Sequence, residues 1–506
     1  MTRDRLHLSL IAVVIALTLL RLWAAGRIEL LPEEAYYWTY SKHLAPGYFD
    51  HPPMVAWMIR AGTALLGDTE RGVRIVNIFL WIGSCALLWQ TASIWFGERV
   101  ASGAALLFCV LPIFMGTGFI VTPDGPLVFF WTLTLYAVSR ALHASRSVYW
   151  LLAGAAFGGA LLSKYYALLL APSLLLFLLF SAQYRRWLLC PQPWLALVVA
   201  LAMFSPVILW NAHHQWVSFA FQSSRTAGAG ASVWKQAGMF WLVQLGILTP
   251  PLFVLLVIAE AHAVRHGWLR HEDGWNFVSA FSLPLFLLFV IVSLNTGVHL
   301  NWTAPAFLSL TLGGAAVWLA GADDRDAHRA RPWRMAAWLS AGLCAVVLVA
   351  AHVNVLFGKP ESLAYSRVGG WRELATQVST AQAELSRRTG EAAFVLGADK
   401  YNTAAELGFY LGNCGETVNM MALGERGLGY RFWTNLQRFE GRPAVVVAFN
   451  LSDGKLQELR AYFDEVDEPL ATRIGAPARR WQSVYLVNCR GYHAEPRALT
   501  EASGGL

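Results

Sequence analysis

The chain has 506 residues, of which 56% are hydrophobic and 14% charged, where soluble domains carry about 25% charged residues. With a mean hydropathy of +0.44, that composition excludes an ordinary soluble globular protein. The formal net charge of +7 does not point to nucleic acid either, because the basic residues fall in short clusters between apolar runs, the pattern that orients a membrane protein.

The first apolar runs, 8–25, 73–96 and 101–121, each approach the roughly 20 residues that cross a bilayer. Further runs follow at 127–142, 149–162, 167–180, 194–210, 239–261, 277–294, 302–320 and 335–356. A window reading therefore predicts about eleven transmembrane helices. The fifth and sixth are short, and only residues 163–166 separate them, as in one broken or tilted pair. The first run follows Arg3 and Arg5 and ends in small residues, as a signal peptide does, but the topology of the later spans requires it as a retained helix with a cytoplasmic N-terminus. Arg99, Arg140, Arg146, Arg185, Arg186, Arg265, Arg270, Arg325, Arg329, Arg331 and Arg334 then lie inside, as the positive-inside rule asks. Segments 27–72, 122–125, 163–166, 211–236 and 295–301, with everything after residue 357, lie outside.

The tail changes character. Residues 371–388 have the pattern of an amphipathic helix and 392–396 of a buried strand, followed by a helix at 403–411, a strand at 444–449, a helix at 455–463 and a strand at 483–487. Residues 1–357 are thus expected to form a membrane catalytic region and 358–506 an extracytoplasmic α/β domain. Cys85, Cys109, Cys190 and Cys344 sit in or beside apolar segments without metal-ligand spacing. Cys414 and Cys489, in the tail, leave one disulfide open.

Chemistry concentrates in the first outer segment, which reads Leu31-Pro32-Glu33-Glu34-Ala35-Tyr36-Tyr37-Trp38 and then Tyr48-Phe49-Asp50-His51-Pro52-Pro53. Aromatics beside a membrane commonly form an interfacial belt, and loop acids are commonly solvated. Three acids among stacking aromatics also suit a sugar or lipid head, and a carboxylate within hydrogen-bond reach can deprotonate an attacking hydroxyl; Glu33 or Glu34 is the base candidate. Asp124, in Thr122-Pro123-Asp124-Gly125-Pro126, either caps the next helix or is one of the costly ionisable groups that mark function at membrane depth. Lys164, followed by Tyr165 and Tyr166, is either a snorkelling lysine or a phosphate ligand. Arg225, in the outer segment with Trp210, Asn211, His213, His214 and Gln222, is a second phosphate candidate, and adjacent His213 and His214 cannot both face one metal from a regular helix. His299, Asn301 and Trp302 close the last short outer loop.

Together, Glu33-Glu34-Ala35-Tyr36-Tyr37-Trp38, Tyr48-Phe49-Asp50-His51-Pro52-Pro53, Thr122-Pro123-Asp124 and Ser163-Lys164-Tyr165 resemble the bacterial branch of the protein O-mannosyltransferase and aminoarabinose transferase superfamily. Asp399, Tyr401, Ala404, Ala405, Glu406 and Phe409-Tyr410-Leu411 extend the resemblance into the tail. It implies the GT-C fold in a multi-pass protein of the bacterial inner membrane, and a glycosyltransferase that moves a sugar, with inversion, from a polyprenyl-phosphate donor to an extracytoplasmic acceptor: lipid A or core, another envelope glycan, a lipid or a protein. Glu33-Glu34 stands where the family has Asp-Glu, its proposed base. Asp50 matches an acid placed near a metal or the donor phosphate, so a divalent metal is the one cofactor raised; His51 stands where relatives have a lysine. Tyr48, His51, Lys164, Tyr165 and Arg225 are then expected at the donor phosphate, with Asp124 orienting sugar or acceptor. Membrane lipids complete the partners, with no nucleic acid. The competing reading is a transporter or flippase; no inverted repeat is visible, and the acids cluster in outer loops rather than at the bilayer midplane. A membrane-anchored scaffold would explain the tail but not the first loop.

Overall fold

The computed structural model describes residues 3–320 apart from 145, 227–232 and 300, four positions between 339 and 346, and 369–496 apart from 400, 421–427, 473 and 475–483. The expected span at 335–356 apart from those four positions, the arginine cluster of 325–334 and the expected boundary at 357/358 lie outside the described residues.

The chain divides into two compact units, the first comprising Met1–Ala25, Ala45–Met58 and Arg74–Ala350, the second Gly26–Leu44, Ile59–Val73 and Ala351–Leu506. Most of the first outer segment thus groups with the tail rather than with the membrane region, a division that the sequence did not reveal.

The first unit is helical: α1 (Arg3–Ala24), then, after α2 (Pro32–Lys42) of the second unit, α3 (Met54–Leu66) and α4 (Glu70–Phe96), which are shared, and α5 (Glu98–Val110), α6 (Pro112–Thr117), α7 (Asp124–Ala144), α8 (Ser147–Leu161), α9 (Leu170–Phe180), α10 (Pro191–His213), α11 (Val217–Thr226), α12 (Val233–Leu248), α13 (Pro250–Ala263), α14 (Asp273–Ser293) and α15 (Ala304–Ala320). Among the described residues six helices are long and apolar enough to cross a membrane, and further apolar helices are shorter. The predicted spans 101–121 and 239–261 are each two helices. Pro112 and Pro250, at the starts of α6 and α13, explain the breaks: proline supplies no N–H to continue the preceding helix but fits a first turn.

The interior is one apolar cluster that includes Phe108, Trp131, Phe177, Phe281 and Leu308. Gly154 and Gly158 lie on the face of α8 against α10, where an added Cβ at Gly154 would sit 2.4 Å from the Ala196 carbonyl oxygen. Small residues four apart let two apolar helices approach this closely where no water drives them together.

In the second unit, α16 (Trp371–Thr389), β1 (Phe394–Gly397), α17 (Tyr401–Tyr410), β2 (Thr417–Asn419), α18 (Tyr430–Trp433), β3 (Ala444–Ala448), α19 (Asp453–Tyr462), β4 (Phe463–Val466), β5 (Leu470–Thr472) and β6 (Val484–Tyr492) form the expected α/β domain. Strand order is β2-β1-β3-β6-β4, with β5 also paired to β6. β2, β1 and β3 run parallel and β6 is antiparallel to β3, in the register Val395↔Val445 and Val446↔Val487. β1 and β3 are buried along their whole length, as continuous apolar strands covered on both faces should be. On one face Val395, Val445 and Val447 pack with Leu374 and Val378 of α16; on the other Phe394, Leu396 and Val446 pack with Phe439 and Leu459. Cys489 is buried on β6, and Cys414 and Cys489 are both free, so the disulfide left open by the sequence is not formed.

Candidate donor phosphate site

In the first unit Asp124 begins α7, and Thr122 Oγ1, two residues earlier, donates to its Oδ2 at 3.1 Å. Lys164 follows the end of α8 with extended backbone before the short 3-10 turn Tyr165–Leu169, which turns its side chain back toward α7. Its Nζ lies 2.7 Å from Asp124 Oδ1, with side-chain exposures of 7% and 1%. Asn301 Nδ2 donates to Asp124 Oδ2, and the Tyr166 hydroxyl donates to Oδ1 at 3.4 Å. Both carboxylate oxygens are therefore engaged. A carboxylate so occupied is suited to anchoring Lys164 and the loop of Asn301.

Beside this pair lies a cavity of about 220 Å³, lined by His51, Lys164, Tyr165, Tyr166, Gln222 and Arg225, with Leu288, Phe289, Val292 and Trp302 as further wall. Tyr165 donates to or accepts from Ser218 at 2.6 Å, and Gln222 Nε2 donates to the Asp50 backbone oxygen, tying α11 to the segment that carries His51. Arg225 lies with its guanidinium 5.2 Å from the Trp302 ring centre, and its Nη2 is 3.0 Å from His299 Nε2. Burial, with Lys164 and Arg225 nearby, holds the His51 imidazole well below its ordinary value. The lining thus offers two cations, a neutral histidine and phenol and amide donors on one side and apolar helix surface on the other. Such a surface suits an anion carried on a lipid, since ionised donors give the strongest hydrogen bonds to phosphate oxygens.

Of the residues assigned to the donor from sequence, His51, Lys164, Tyr165 and Arg225 come together here, joined by Tyr166, Gln222 and Trp302, while Tyr48 is not in the lining. Tyr48 is buried and its hydroxyl accepts the Ala45 N–H at 3.1 Å; burial pushes its phenol up to about 12. Asp50 is buried, and among the described residues no group of three or more His, Cys, Asp or Glu that could hold a metal ion is assembled. The role of Asn301 was not evident beforehand: it is 177 residues from Asp124, and its only sequence signal was a polar residue in a short outer loop.

In the second unit the acid pair separates. Glu33 is exposed in the first turn of α2, whereas Glu34 is buried and its Oε2 accepts the Leu31 N–H at 3.0 Å, satisfying one of the donors that a helix start leaves open. The neighbouring aromatics do not form an open platform for a sugar, contrary to expectation. Tyr36, Trp38 and Tyr40 are buried, Tyr36 against Tyr401 at 4.3 Å, Trp38 edge-on to Phe409 and Tyr40 edge-on to Trp433, both at 5.1 Å between ring centres. Large rings on two or more faces of a short helix pay their hydration back by packing.

The helices of the first unit and the sheet of the second are those of a polytopic membrane protein with the GT-C fold. Residues 50–210 match the family described as dolichyl-phosphate-mannose-protein mannosyltransferase. Lipid A galacturonosyltransferase RgtD of Rhizobium johnstonii is 27% identical over 290 residues, covering 57% of this chain and 60% of that protein. The undecaprenyl phosphate-alpha-4-amino-4-deoxy-L-arabinose arabinosyl transferase of Pseudomonas paraeruginosa is 30% identical over 287 residues, covering 54% and 51%. The matched stretch thus spans between about half and three-fifths of these relatives' length. Among solved structures, ArnT from Cupriavidus metallidurans bound to undecaprenyl phosphate superposes with a TM-score of 0.63 at 16% identity, over 94% of this chain and 97% of that one; its apo form gives 0.61. The superfamily resemblance drawn from the sequence motifs is shown by these matches, and the ArnT likeness shows the fold.

Proposed function

We propose that the chain is a membrane glycosyltransferase that takes a sugar from a polyprenyl-phosphate donor and passes it, with inversion, to an acceptor on the extracytoplasmic face. The observation that carries this reading is the cavity in which Lys164 and Arg225 face one space with an apolar wall from α14. A phosphate on an isoprenoid chain needs both surfaces. In the proposed step the acceptor hydroxyl attacks the anomeric carbon, the bond from that carbon to the phosphate oxygen breaks, and Lys164 and Arg225 stabilise the departing lipid phosphate. Attack from the face opposite the phosphate inverts the configuration. Glu33, exposed on α2, is the proposed acceptor of the hydroxyl proton; Asp124 holds Lys164 in place. Asp50 and a divalent metal stay a proposal separate from this step.

The acceptor is an envelope molecule, with lipid A or core first because the relatives include a lipid A galacturonosyltransferase, then another glycan, a lipid or a protein. The proposed topology has the N-terminus cytoplasmic and the tail periplasmic, in the inner membrane of a bacterium. Mass spectrometry of envelope lipids, glycans and polyprenyl-phosphate sugars in a deletion strain, complemented with wild type, Glu33→Ala or Lys164→Ala, tests the reading. Loss of one sugar modification with build-up of its donor in the deletion and variant strains is expected; an unchanged profile would overturn it.

A further inference from the structure

The short loop between α14 and α15 brings three residues to the charged groups of the donor site: His299 to Arg225, Asn301 to Asp124, and Trp302, which lines the cavity, to the guanidinium. Arginine carries only donors. A contact of 3.0 Å between Arg225 Nη2 and His299 Nε2 therefore requires Nε2 to be an unprotonated acceptor, with the ring proton on Nδ1. We infer that His299 is a positioning residue, whose Nε2 accepts from Arg225 and holds that cation in register over the cavity that receives the lipid phosphate.

The cation–π contact with Trp302, 5.2 Å from the ring centre, draws the charge to that side of the cavity but gives its N–H groups no direction; the bond to His299 supplies one. Protonating His299 would abolish its lone pair and set two cations face to face. The charged groups around it are Arg225 on α11, Lys164 after α8 and Asp124 at the start of α7. Burial, Arg225 and Lys164 lower the histidine's affinity for a proton and Asp124 raises it, with a net shift downward. The bond is accordingly present at neutral pH and is lost on acidification.

This inference rests on the donor-site reading above, and the test separates the two. Undecaprenyl phosphate is titrated into the full-length protein in nanodiscs from pH 8 to pH 5, using wild type, His299→Phe, His299→Gln and Arg225→Ala. The phosphate's own ionisation near pH 6 is common to all four and cancels in ratios of affinities. At pH 7.5 the phenylalanine variant is expected to bind about tenfold more weakly, while glutamine, which offers an acceptor oxygen, recovers most of that loss. On acidification wild type should lose affinity relative to the glutamine variant. If wild type binds and Arg225→Ala does not, but both His299 variants match wild type at every pH, the inference is overturned and the donor site stands. No saturable binding by wild type overturns the donor-site reading and the inference with it.

Discussion

Two cavities in the membrane unit differ in almost every property. One, of about 350 Å³, is bounded by α7, α8, α9 and α10 through Val138, Trp150, Phe157, Leu174 and Leu197 and has no charged residue in its lining. The other, of about 220 Å³, gathers Lys164, Arg225 and His51. Helices in a membrane associate through close packing, with little hydrophobic drive, so the first cavity is what remains between well-fitted apolar faces. The second is bounded by groups that are expensive at this depth, and it persists because each is held by a partner: Lys164 by Asp124, Asp124 by Asn301, Arg225 by His299 and Trp302. The charged cavity therefore depends on an ordered network of partners that the apolar one does not need, and the contrast can be tested directly.

The largest effect is expected from Lys164→Ala, which leaves the Asp124 carboxylate buried without its cation; about 3–5 kcal/mol of stability should be lost, read as a lowered denaturation midpoint in detergent. The double variant Asp124→Asn with Lys164→Met should recover much of that stability yet transfer no sugar. Recovery of both would show the pair to be purely structural. On the apolar side, Gly154→Leu forces a side chain into the Ala196 carbonyl and is expected to cost about 1–3 kcal/mol, measured by thermal unfolding, with donor affinity at the other cavity little changed in the folded fraction. Arg225→Lys keeps the charge but loses the planar fork that reaches His299; donor affinity should fall by about 1.5 kcal/mol, roughly tenfold, with stability nearly unaltered.

The smallest effect is on the pH dependence of stability. His51 is held below its ordinary value in the folded protein, so on acidification the unfolded chain takes up a proton that the folded chain refuses. Stability is expected to be full above about pH 6.5, the ordinary histidine value, and to fall as pH drops from there toward the folded value. Unfolding of wild type and His51→Gln between pH 8 and pH 5 measures it; equal slopes would remove His51 as the cause.

What the sequence determined by itself follows from local chemistry. Composition and the length of apolar runs required a membrane protein, because a chain with so few charges cannot cover a soluble surface. The alternation and periodicity after residue 370 required helices and buried strands, which the sheet of β1, β3 and β6 realises at the expected places. Motif content marked Asp124, Lys164, Arg225 and His51 as candidates. Only the tertiary structure decided that these four converge, that Asn301 and His299 hold two of them, that Glu34 serves the start of α2 while Glu33 stands exposed, and that the aromatics of α2 are interior. Those facts depend on contacts between residues as far apart as Tyr40 and Trp433, and hydrophobic periodicity carries information about which face a residue takes, not about which distant partner meets it there.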